Sequence, residues 1–287
     1  MAFPLPTAAV TGFAPANTYD AHRPSYPPEA VSGLLSHMGL AGIHGAKVVE
    51  IASGTGKFTQ LLAAREEEFE ILAVEPHEGM RRELETKNLQ GVKVMDGHAS
   101  KTPVGAEWGE GCIAAQAFHW FATAEALTEI HRVLRTGASF GMIWNVESYN
   151  QPQSWPTSST WERDLSNMIM ELDDGHGRFR HMKWMDVFDE QLKSNPIQAL
   201  NDSLTNNMPC FSLPVGTDKM EWTTWLQPEQ LWKRLSTLSQ LVVMNDEEKA
   251  RTREIFDRAM AREDCVKNNK GEVPLKGCTF FAWTQAL

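Results

Sequence analysis

Short apolar runs rich in β-branched residues alternate with amphipathic segments along the first half of the chain. Runs of this kind bounded by turn residues predict buried strands, and an apolar stripe with a period near 3.6 predicts a helix. Strands that alternate with helices predict a parallel sheet covered on both faces. We expect strands at 47–52, 70–74, 92–95, 112–116 and 139–144, and helices at 29–37, 58–68, 78–87 and 122–134, the last closed by Arg135-Thr136-Gly137 with glycine as its C-terminal cap.

The pattern changes after residue 150, where polar and aromatic residues replace the regular alternation. Residues 151–235 carry six of the ten tryptophans. Further helices are predicted at 228–241 and 246–262, and a last strand at 278–284. No internal repeat or low-complexity linker divides the chain, so we expect one domain with an elaborated second half.

The composition favours a soluble protein that does not bind nucleic acid. The formal net charge is −10, from 27 Lys and Arg against 37 Asp and Glu, whereas a phosphate backbone is bound by clustered cations. The first residues lack the basic segment of a signal peptide, and no apolar stretch approaches the ~18 residues of a membrane span. The four cysteines form no CxxC pair, which favours reduced thiols in the cytoplasm. We expect no membrane partner, and a monomer or homodimer.

The first predicted strand ends in a glycine turn, Ser53-Gly54-Thr55-Gly56. Open parallel sheets bind ligands at the carboxyl ends of their strands, where glycines let the backbone come close and expose amide groups at the start of a helix. Glu75 ends the second strand about 20 residues later, where a carboxylate can accept ribose hydroxyls. Glu50 precedes the turn and would repel a pyrophosphate, but it suits a ligand that carries an ammonium and a sulfonium. A dinucleotide fingerprint would also need glycine or alanine where the chain has Thr59.

Several motifs in order resemble those of the S-adenosyl-L-methionine-dependent methyltransferases. The first strand and turn match as VVEIASGTGKFTQLL, the second strand as ILAVEPHEGMRREL, and the fourth as CIAAQAFHWF, followed by ALTEIHRVLRTGASFGMIW. Two segments, YDAHRPSYP and AQAFHWF, are similar to the small-molecule methyltransferases around trans-aconitate methyltransferase. The likeness is good over 19–145 and loose over 180–287. It implies the Rossmann-like class I fold, with a mostly parallel seven-strand sheet and helices on both faces, and S-adenosyl-L-methionine as the cofactor.

Transferred onto this sequence, the resemblance implies a set of cofactor contacts. Glu75 would hold the ribose, and Gln116 would lie beside the methionine portion. Tyr19 and Arg23 would close over the cofactor from the N-terminal arm, with the arginine near its carboxylate. The methionine part would be flanked by Glu50, Ser53, Gly54 and Gly56, and the adenine by Pro76, Met80, Gly97, His98 and Ala99.

The chain departs from the family pattern at two positions. Ala52 replaces the first glycine of the turn motif, which adds a methyl group where the backbone comes closest to the ligand. His98 stands where an acidic or hydroxyl residue often meets the adenine amino group, and Asp96 is the alternative for that contact.

Methyl transfer is an in-line displacement, so the protein mainly has to hold the acceptor in line and dry. A base is needed only where the acceptor must lose a proton. His119 follows the fourth strand and is the candidate base; the alternative is that it shapes the pocket. Trp120, Trp144 and Asn145 are predicted substrate contacts. We expect no metal, because the loop that carries Asp173, Asp174, His176 and His181 has no compact zinc spacing.

The sequence therefore predicts methylation of a small molecule. A carboxylate or hydroxyl oxygen is the expected acceptor atom, ahead of nitrogen or sulfur, because the nearest resemblance is to carboxylate methylation. The tryptophan-rich segment favours an apolar or aromatic acceptor. Two alternatives stay open: a protein that uses the cofactor for a non-methylating step such as cyclisation, and a cofactor-binding regulatory protein. The domain is expected over 1–287, with a cofactor-binding core at about 19–150, a substrate lid at about 151–235, and C-terminal helices and a last strand at about 236–287.

Overall fold

A computed structural model describes residues 25–172, 177–192 and 209–287. The helices are α1 (Pro28–His37), α2 (Thr59–Ala63), α3 (Glu78–Thr86), α4 (Ala124–Val133), α5 (Thr160–Glu171), α6 (Asp186–Asp189), α7 (Pro228–Leu235), α8 (Ser239–Val242) and α9 (Asp246–Met260). The strands are β1 (Lys47–Ile51), β2 (Glu70–Val74), β3 (Val92–Met95), β4 (Gly109–Ala115), β5 (Leu134–Glu147), β6 (Gly216–Leu226) and β7 (Val273–Gln285). Short 3-10 helices span Phe118–Trp120, Ser148–Asn150, Phe179–His181, Lys183–Met185 and Glu190–Leu192.

The seven strands form one sheet in the order β3-β2-β1-β4-β5-β7-β6. β1 is parallel to both of its neighbours, β2 and β4, and the parallel pairing extends to β3 on one side and β5 on the other. The strand order reverses between β1 and β4, and this is the place where open sheets bind ligands. The predicted Rossmann-like fold with a mostly parallel seven-strand sheet is confirmed.

Glycines in the central strands let the segment around the end of α1 lie directly on the sheet. An added Cβ at Gly111 of β4 would come within 2.6 Å of Leu40 Cδ1, and one at Gly141 of β5 within 2.4 Å of Met38 Sδ. Both distances are far below a van der Waals contact, so a side chain at either position would displace Leu40 or Met38.

The end of α4 differs from the prediction. The helix stops at Val133, and its C-cap residue Leu134 is already extended and begins β5. Arg135-Thr136-Gly137 therefore belongs to the strand, and its prediction as a helix cap was wrong. Buried Leu134 pairs with Gly109 of β4, and the N–H of Gly137 donates to the carbonyl of Ala286 at 2.8 Å, so sheet pairing takes up these residues.

Other boundaries shift in the same direction, towards more strand and shorter helix. α2 ends at Ala63, well before the predicted 68, and the helix predicted at 228–241 is divided into α7 and α8. β7 begins at Val273 rather than at Cys278. β6 lies within 151–235, the segment expected to be a lid, and was missed although its partly buried positions alternate with exposed ones from Met220 to Leu226, as in a half-buried strand.

The described residues group into two compact units. The sheet unit comprises the described parts of Tyr26–Trp144, Gly177–Lys219 and Phe280–Leu287, and the helical unit those of Met1–Ser25, Asn145–His176 and Met220–Thr279. The helical unit has a hydrophobic core of its own, to which α5, α7 and α9 contribute Trp161, Leu231 and Phe256. The predicted site residues from Glu50 to Trp144 lie in the sheet unit, and Asn145 lies in the helical unit.

Candidate active site

The turn after β1 holds three residues in the left-handed backbone region. The backbone angle φ is +56° at Ala52, +57° at Gly54 and +84° at Gly56. This region costs a residue that carries a Cβ about 1–2 kcal/mol, so the alanine at the first motif position is strained where glycine would not be. Gly56 is also required sterically, because an added Cβ would lie 2.2 Å from Leu84 Cδ1. The turn therefore depends on glycine where α3 packs against it.

Glu75 follows β2 and lies beside this turn. One carboxylate oxygen accepts the Gly54 N–H at 2.9 Å, and the other accepts the His77 N–H at 2.8 Å. Burial raises the pKa of Glu75, while the two N–H donors and Arg81 oppose that rise. A carboxylate has about four acceptor positions, so two backbone bonds leave room for two hydroxyl donors. This is the chemistry expected of a group that binds a ribose.

Arg81, which the sequence analysis did not single out, ties the ends of β2 and β3 together. Its guanidinium donates to the carbonyl oxygens of Glu75 at 2.8 Å and Pro76 at 2.7 Å. It also pairs with Asp96, which follows β3, at 2.9 Å. Asp96 is therefore engaged in holding the strand ends, which leaves His98 as the candidate for the adenine edge.

The predicted adenine-side residues come from the two loops after β2 and β3. Met80 is buried, and its sulfur lies 3.8 Å from the position that a Cβ on Gly54 would take. Backbone bonds between His98 and Lys101 close the second loop, and His98 Nδ1 lies 3.0 Å from Ser100 Oγ. Partial burial lowers the pKa of His98, which keeps the imidazole neutral at pH 7. A neutral imidazole suits an uncharged base as its neighbour.

Gly97 is small for a packing reason. An added Cβ would lie 2.6 Å from Pro103 Cδ and 2.8 Å from Val74 Cγ1. Ala99, two residues later, is buried. The loop after β3 therefore lies directly against the end of β2, which brings His98 to the same sheet edge as Glu75.

Two buried oxygens near the end of β1 have no hydrogen-bond partner among the described residues, namely Glu50 Oε2 and Ser53 Oγ. The Glu50 side chain is 1% exposed. Burial, opposed by the Thr59 hydroxyl and reinforced by the Glu75 carboxylate, raises the pKa of Glu50 to about 8. A buried polar atom left without a partner costs about 1–3 kcal/mol, so a ligand that offers donors or a cation here would be stabilised.

β4 is followed by Gln116 and then by the 3-10 helix Phe118–Trp120. The backbone angle φ of Gln116 is +56°, and its N–H donates to the Ile143 carbonyl at 2.8 Å. The Nδ1 atom of His119 accepts the indole N–H of Trp144 at 3.0 Å. An indole nitrogen is only a donor, so Nδ1 must carry a lone pair. The proton of the neutral imidazole is therefore on Nε2.

Trp144 is enclosed by other aromatic rings of the sheet unit. Its ring centroid lies 4.8 Å from that of Trp184, 4.9 Å from that of Phe179 and 6.2 Å from that of Phe280. The side chain is 0% exposed. Trp144 was predicted to contact substrate, but its ring is enclosed and its indole N–H is donated to His119, so it orients that imidazole rather than lining an open site.

Two buried arginines near the 3-10 helix were missed. Arg178 is 6% exposed, and its guanidinium carbon lies 4.1 Å from the ring centroid of Trp120, a cation–π distance. Arg180 is buried as well. At Gly177 an added Cβ would lie 3.1 Å from the carbonyl oxygen of His119. A buried cation therefore stands close to the predicted catalytic residue, and the sequence signal was a pair of arginines flanking a phenylalanine after a glycine.

Asn145 lies in the buried part of β5 that belongs to the helical unit. Its amide oxygen accepts the Thr279 hydroxyl at 2.6 Å, and its amide nitrogen donates to the Ser25 carbonyl at 3.2 Å. The Trp222 indole N–H donates to the same threonine hydroxyl at 3.2 Å. The side chain of Asn145 thus joins segments of the helical unit, and its contact with substrate stays a prediction.

Glu147, two residues further along β5, forms a buried ion pair with Arg234 of α7, with Nε 3.0 Å from Oε1. Glu147 Oε2 and Arg234 Nη2 are buried without a hydrogen-bond partner. The guanidinium carbon also lies 5.7 Å from the ring centroid of Trp222. The pair is therefore a second polar connection inside the helical unit.

Several predicted residues fall outside the described ranges. These are Tyr19 and Arg23 of the N-terminal arm, and Asp173, Asp174 and His176 of the loop considered as a metal site. In the part of the chain that the structure describes, no group of three or more His, Cys, Asp or Glu could hold a metal ion. Over the same residues, no helix has the length and apolar character that crossing a membrane requires.

Comparison with known proteins agrees with this geometry. Residues 49–142 match the family described as methyltransferase domain. An uncharacterized methyltransferase of Mycobacterium tuberculosis is 26% identical over 253 residues, which cover 88% of this chain and 86% of that protein. Another from Schizosaccharomyces pombe is 32% identical over 165 residues, which cover 55% and 64%. The protein is a class I S-adenosyl-L-methionine-dependent methyltransferase.

Solved structures share the fold of this methyltransferase. One, from Anabaena variabilis, is assigned as a methyltransferase of an antibiotic biosynthesis pathway. It superposes with a TM-score of 0.54 at 15% identity, over 91% of this chain and 98% of that one. At this identity the likeness supports the fold. The matched family segment runs from β1 into β5, so it includes the glycine turn, Glu75 and the His119 helix.

The residues of this methyltransferase fit the cofactor. Among the described residues, the buried Glu50 Oε2 and Ser53 Oγ have no hydrogen-bond partner, and no basic side chain shifts the pKa of Glu50. A ligand with an ammonium and a sulfonium supplies what these atoms lack. Glu75 retains acceptor capacity for the ribose hydroxyls, and neutral His98 suits the adenine.

Proposed function

We propose that this methyltransferase transfers the methyl group to a carboxylate oxygen of a small-molecule acid. The cofactor, when bound, supplies a methyl group on a sulfonium that is already activated for displacement. The protein therefore has to hold an acceptor lone pair in line with that carbon. A carboxylate has such a lone pair near neutral pH, since its ordinary pKa is about 4, and needs no base.

The hydrogen bond from Trp144 to His119 carries this proposal. Through Nδ1, His119 could take a proton only by giving up the indole N–H, which lies 3.0 Å away. Through Nε2, it already has a proton. His119 is therefore poorly placed to deprotonate a hydroxyl, and of its two predicted roles we favour pocket lining over base.

The surroundings of the 3-10 helix support an anionic acceptor. Arg178 places a buried guanidinium on the Trp120 ring, and charge-assisted bonds from arginine are the common way to bind a carboxylate. A malonyl-[acyl-carrier protein] O-methyltransferase of Methylococcus capsulatus is 29% identical over 154 residues, which cover 48% of this chain and 56% of that protein. The name of that relative supports oxygen as the acceptor atom here as well.

The tryptophans of 151–235 do not favour an apolar acceptor once their places are known. Trp161 is buried in the core of the helical unit, and Trp184 is buried in the aromatic cluster of the sheet unit. Packing accounts for these two tryptophans, whereas Trp225 is 46% exposed. The number of tryptophans therefore does not by itself favour an apolar or aromatic acceptor, and that expectation stays a prediction.

The test is an incubation of the enzyme with methyl-labelled S-adenosyl-L-methionine and fractionated small carboxylic acids, followed by mild alkali. A methyl ester releases its label as volatile methanol, whereas a methyl ether or methylamine retains it. We expect alkali-labile label. Alkali-stable label would instead identify a hydroxyl, nitrogen or sulfur acceptor, and consumption of the cofactor without transfer of label would favour a non-methylating step.

Two variants of His119 separate its two roles on the same acceptor. His119→Gln keeps an N–H donor but cannot act as a base, so turnover should stay within about tenfold of wild type and show little dependence on pH. If His119 were a general base, both His119→Gln and His119→Ala would lose about 10²–10⁴-fold in kcat. His131→Gln, at a half-buried histidine on α4 outside the site, is the matched control.

A further inference from the structure

Glu50 lies in the middle of the sheet, and no cation of the described residues stabilises its charge. It is in register with Ala73 of β2 on one side and Ile113 of β4 on the other. The side chain is 1% exposed, and Oε2 has no hydrogen-bond partner. None of the lysines, arginines or histidines in the described residues stabilises its negative charge. An ionised carboxylate in such a place would be strongly destabilised by the loss of water.

The ionisable groups that face Glu50 do not favour its charge either. Glu75, beyond the end of β2, would repel it, and Arg81 offsets the charge of Glu75 rather than that of Glu50. On β4 the fully buried Cys112 thiol has a pKa raised by burial and by Glu50 itself, so it stays neutral. From α2 only the Thr59 hydroxyl favours the charged form. The neighbourhood as a whole therefore favours the protonated acid.

We propose that Glu50 is protonated in the cofactor-free protein and ionises when a cationic group of the cofactor binds beside it. The O–H bond of the carboxylic acid breaks, the proton passes to solvent, and the carboxylate pairs with the cation. Cofactor binding is then coupled to the release of one proton. The coupling favours ligands that bring a positive charge to this position, because a neutral ligand leaves the acid protonated. The inference does not depend on which acceptor is methylated.

Calorimetric titration of the wild type with S-adenosyl-L-methionine at pH 7, in buffers of low and high ionisation enthalpy, measures the released protons directly. With the pKa of Glu50 at about 8, we expect about 0.9 proton per bound cofactor by linkage. The association constant should rise almost tenfold for each pH unit between pH 6 and 7, since binding requires a proton to leave. Heats that do not depend on the buffer would overturn the proposal without any variant.

Glu50→Gln carries the same test further, because the amide keeps the shape of the acid and cannot ionise. Proton release should disappear, and the pH dependence of affinity should flatten. Glu85→Gln removes the same charge from an exposed position on α3 and should behave as wild type. If Glu50→Gln released as many protons as wild type, another group would be responsible and the assignment to Glu50 would be wrong.

S-adenosylhomocysteine identifies the cation, because it keeps the ammonium and lacks the sulfonium. Proton release with both ligands would place the ammonium beside Glu50, and release with S-adenosyl-L-methionine alone would place the sulfonium there. Either result supports the proposal, whereas release with neither ligand contradicts it.

Discussion

Replacing Glu50 by glutamine should stabilise the cofactor-free protein at neutral pH. The reason is that folding transfers this carboxyl from water to a fully buried position, where its pKa rises from 4.5 to about 8. The unfolding free energy is therefore highest below the ordinary pKa, where the acid is protonated in both the folded and the unfolded state. It falls as the pH rises from the ordinary pKa to about 8, because the unfolded chain loses its proton first.

The size of the effect follows from the interval between these values. At pH 7 the folded protein keeps Glu50 protonated, whereas the unfolded chain is about 2.5 pH units above the pKa of this group and has lost the proton. Each pH unit corresponds to about 1.4 kcal/mol. The acid therefore costs about 3 kcal/mol of unfolding free energy at pH 7 relative to a side chain that does not titrate. For a chain of this length, 1 kcal/mol changes the melting temperature by about 2 °C. Glu50→Gln should then melt about 6 °C higher than wild type.

The assay is thermal unfolding of both proteins without cofactor, from pH 5 to pH 8. The gap in melting temperature should be small at pH 5 and widen steadily towards pH 8. Glu67→Gln is a control of opposite sign, because hydrogen bonds from Arg65 lower the pKa of Glu67 to about 2. That carboxylate stabilises the fold above its ordinary pKa and loses this effect as the pH falls, so its replacement should destabilise the protein at pH 7. A constant gap for Glu50→Gln, or a lower melting temperature, would refute a neutral buried acid.

Other predictions concern the turn, the ribose contact and the helical unit. Gly56→Ala should cost about 1–3 kcal/mol by overpacking, whereas Gly137→Ala, at a similar positive φ with no atom near an added Cβ, should cost less by thermal unfolding. Glu75→Ala should weaken binding of S-adenosylhomocysteine by about 1.5–3 kcal/mol, and unchanged calorimetric affinity would remove it from the ribose. Arg234→Met should destabilise the protein by about 3–5 kcal/mol, and the double variant with Glu147→Leu by much less; equal losses would show that the charges are not coupled.

The sequence predicted most reliably the elements whose residues are decided by local burial. β2 and β3 have the predicted bounds, because a short apolar run between two turns has few other ways to be buried. The glycine turn was predictable for the same reason, since few residues other than glycine tolerate its backbone angles. In contrast, β5 extends back to Leu134 through Arg135-Thr136-Gly137, because pairing with distant strands overrides the local signal for a helix cap.

Where function depends on contacts between distant residues, the sequence indicated candidate residues but not their hydrogen-bond partners or protonation. Trp144 and His119 were both singled out, yet only the structure shows that the indole N–H occupies Nδ1 and so determines the tautomer. Arg178 and Arg81 were missed, because the sequence does not show whether an arginine in a loop or at a helix start is buried.

Glu50 and Glu75 show why the environment of an acid matters more than its position. Both end adjacent parallel strands, and the sequence marks both as cofactor ligands. The turn after β1 directs the Gly54 N–H to Glu75, which also receives the His77 N–H, so Glu75 has donors that favour its charged form. Within the described residues, no such donor reaches Glu50 Oε2. The backbone turn that strains Ala52 thus leaves Glu75 ready to accept neutral hydroxyl donors. Glu50 needs a cation beside it before it ionises, and this difference underlies the expected preference for a charged cofactor.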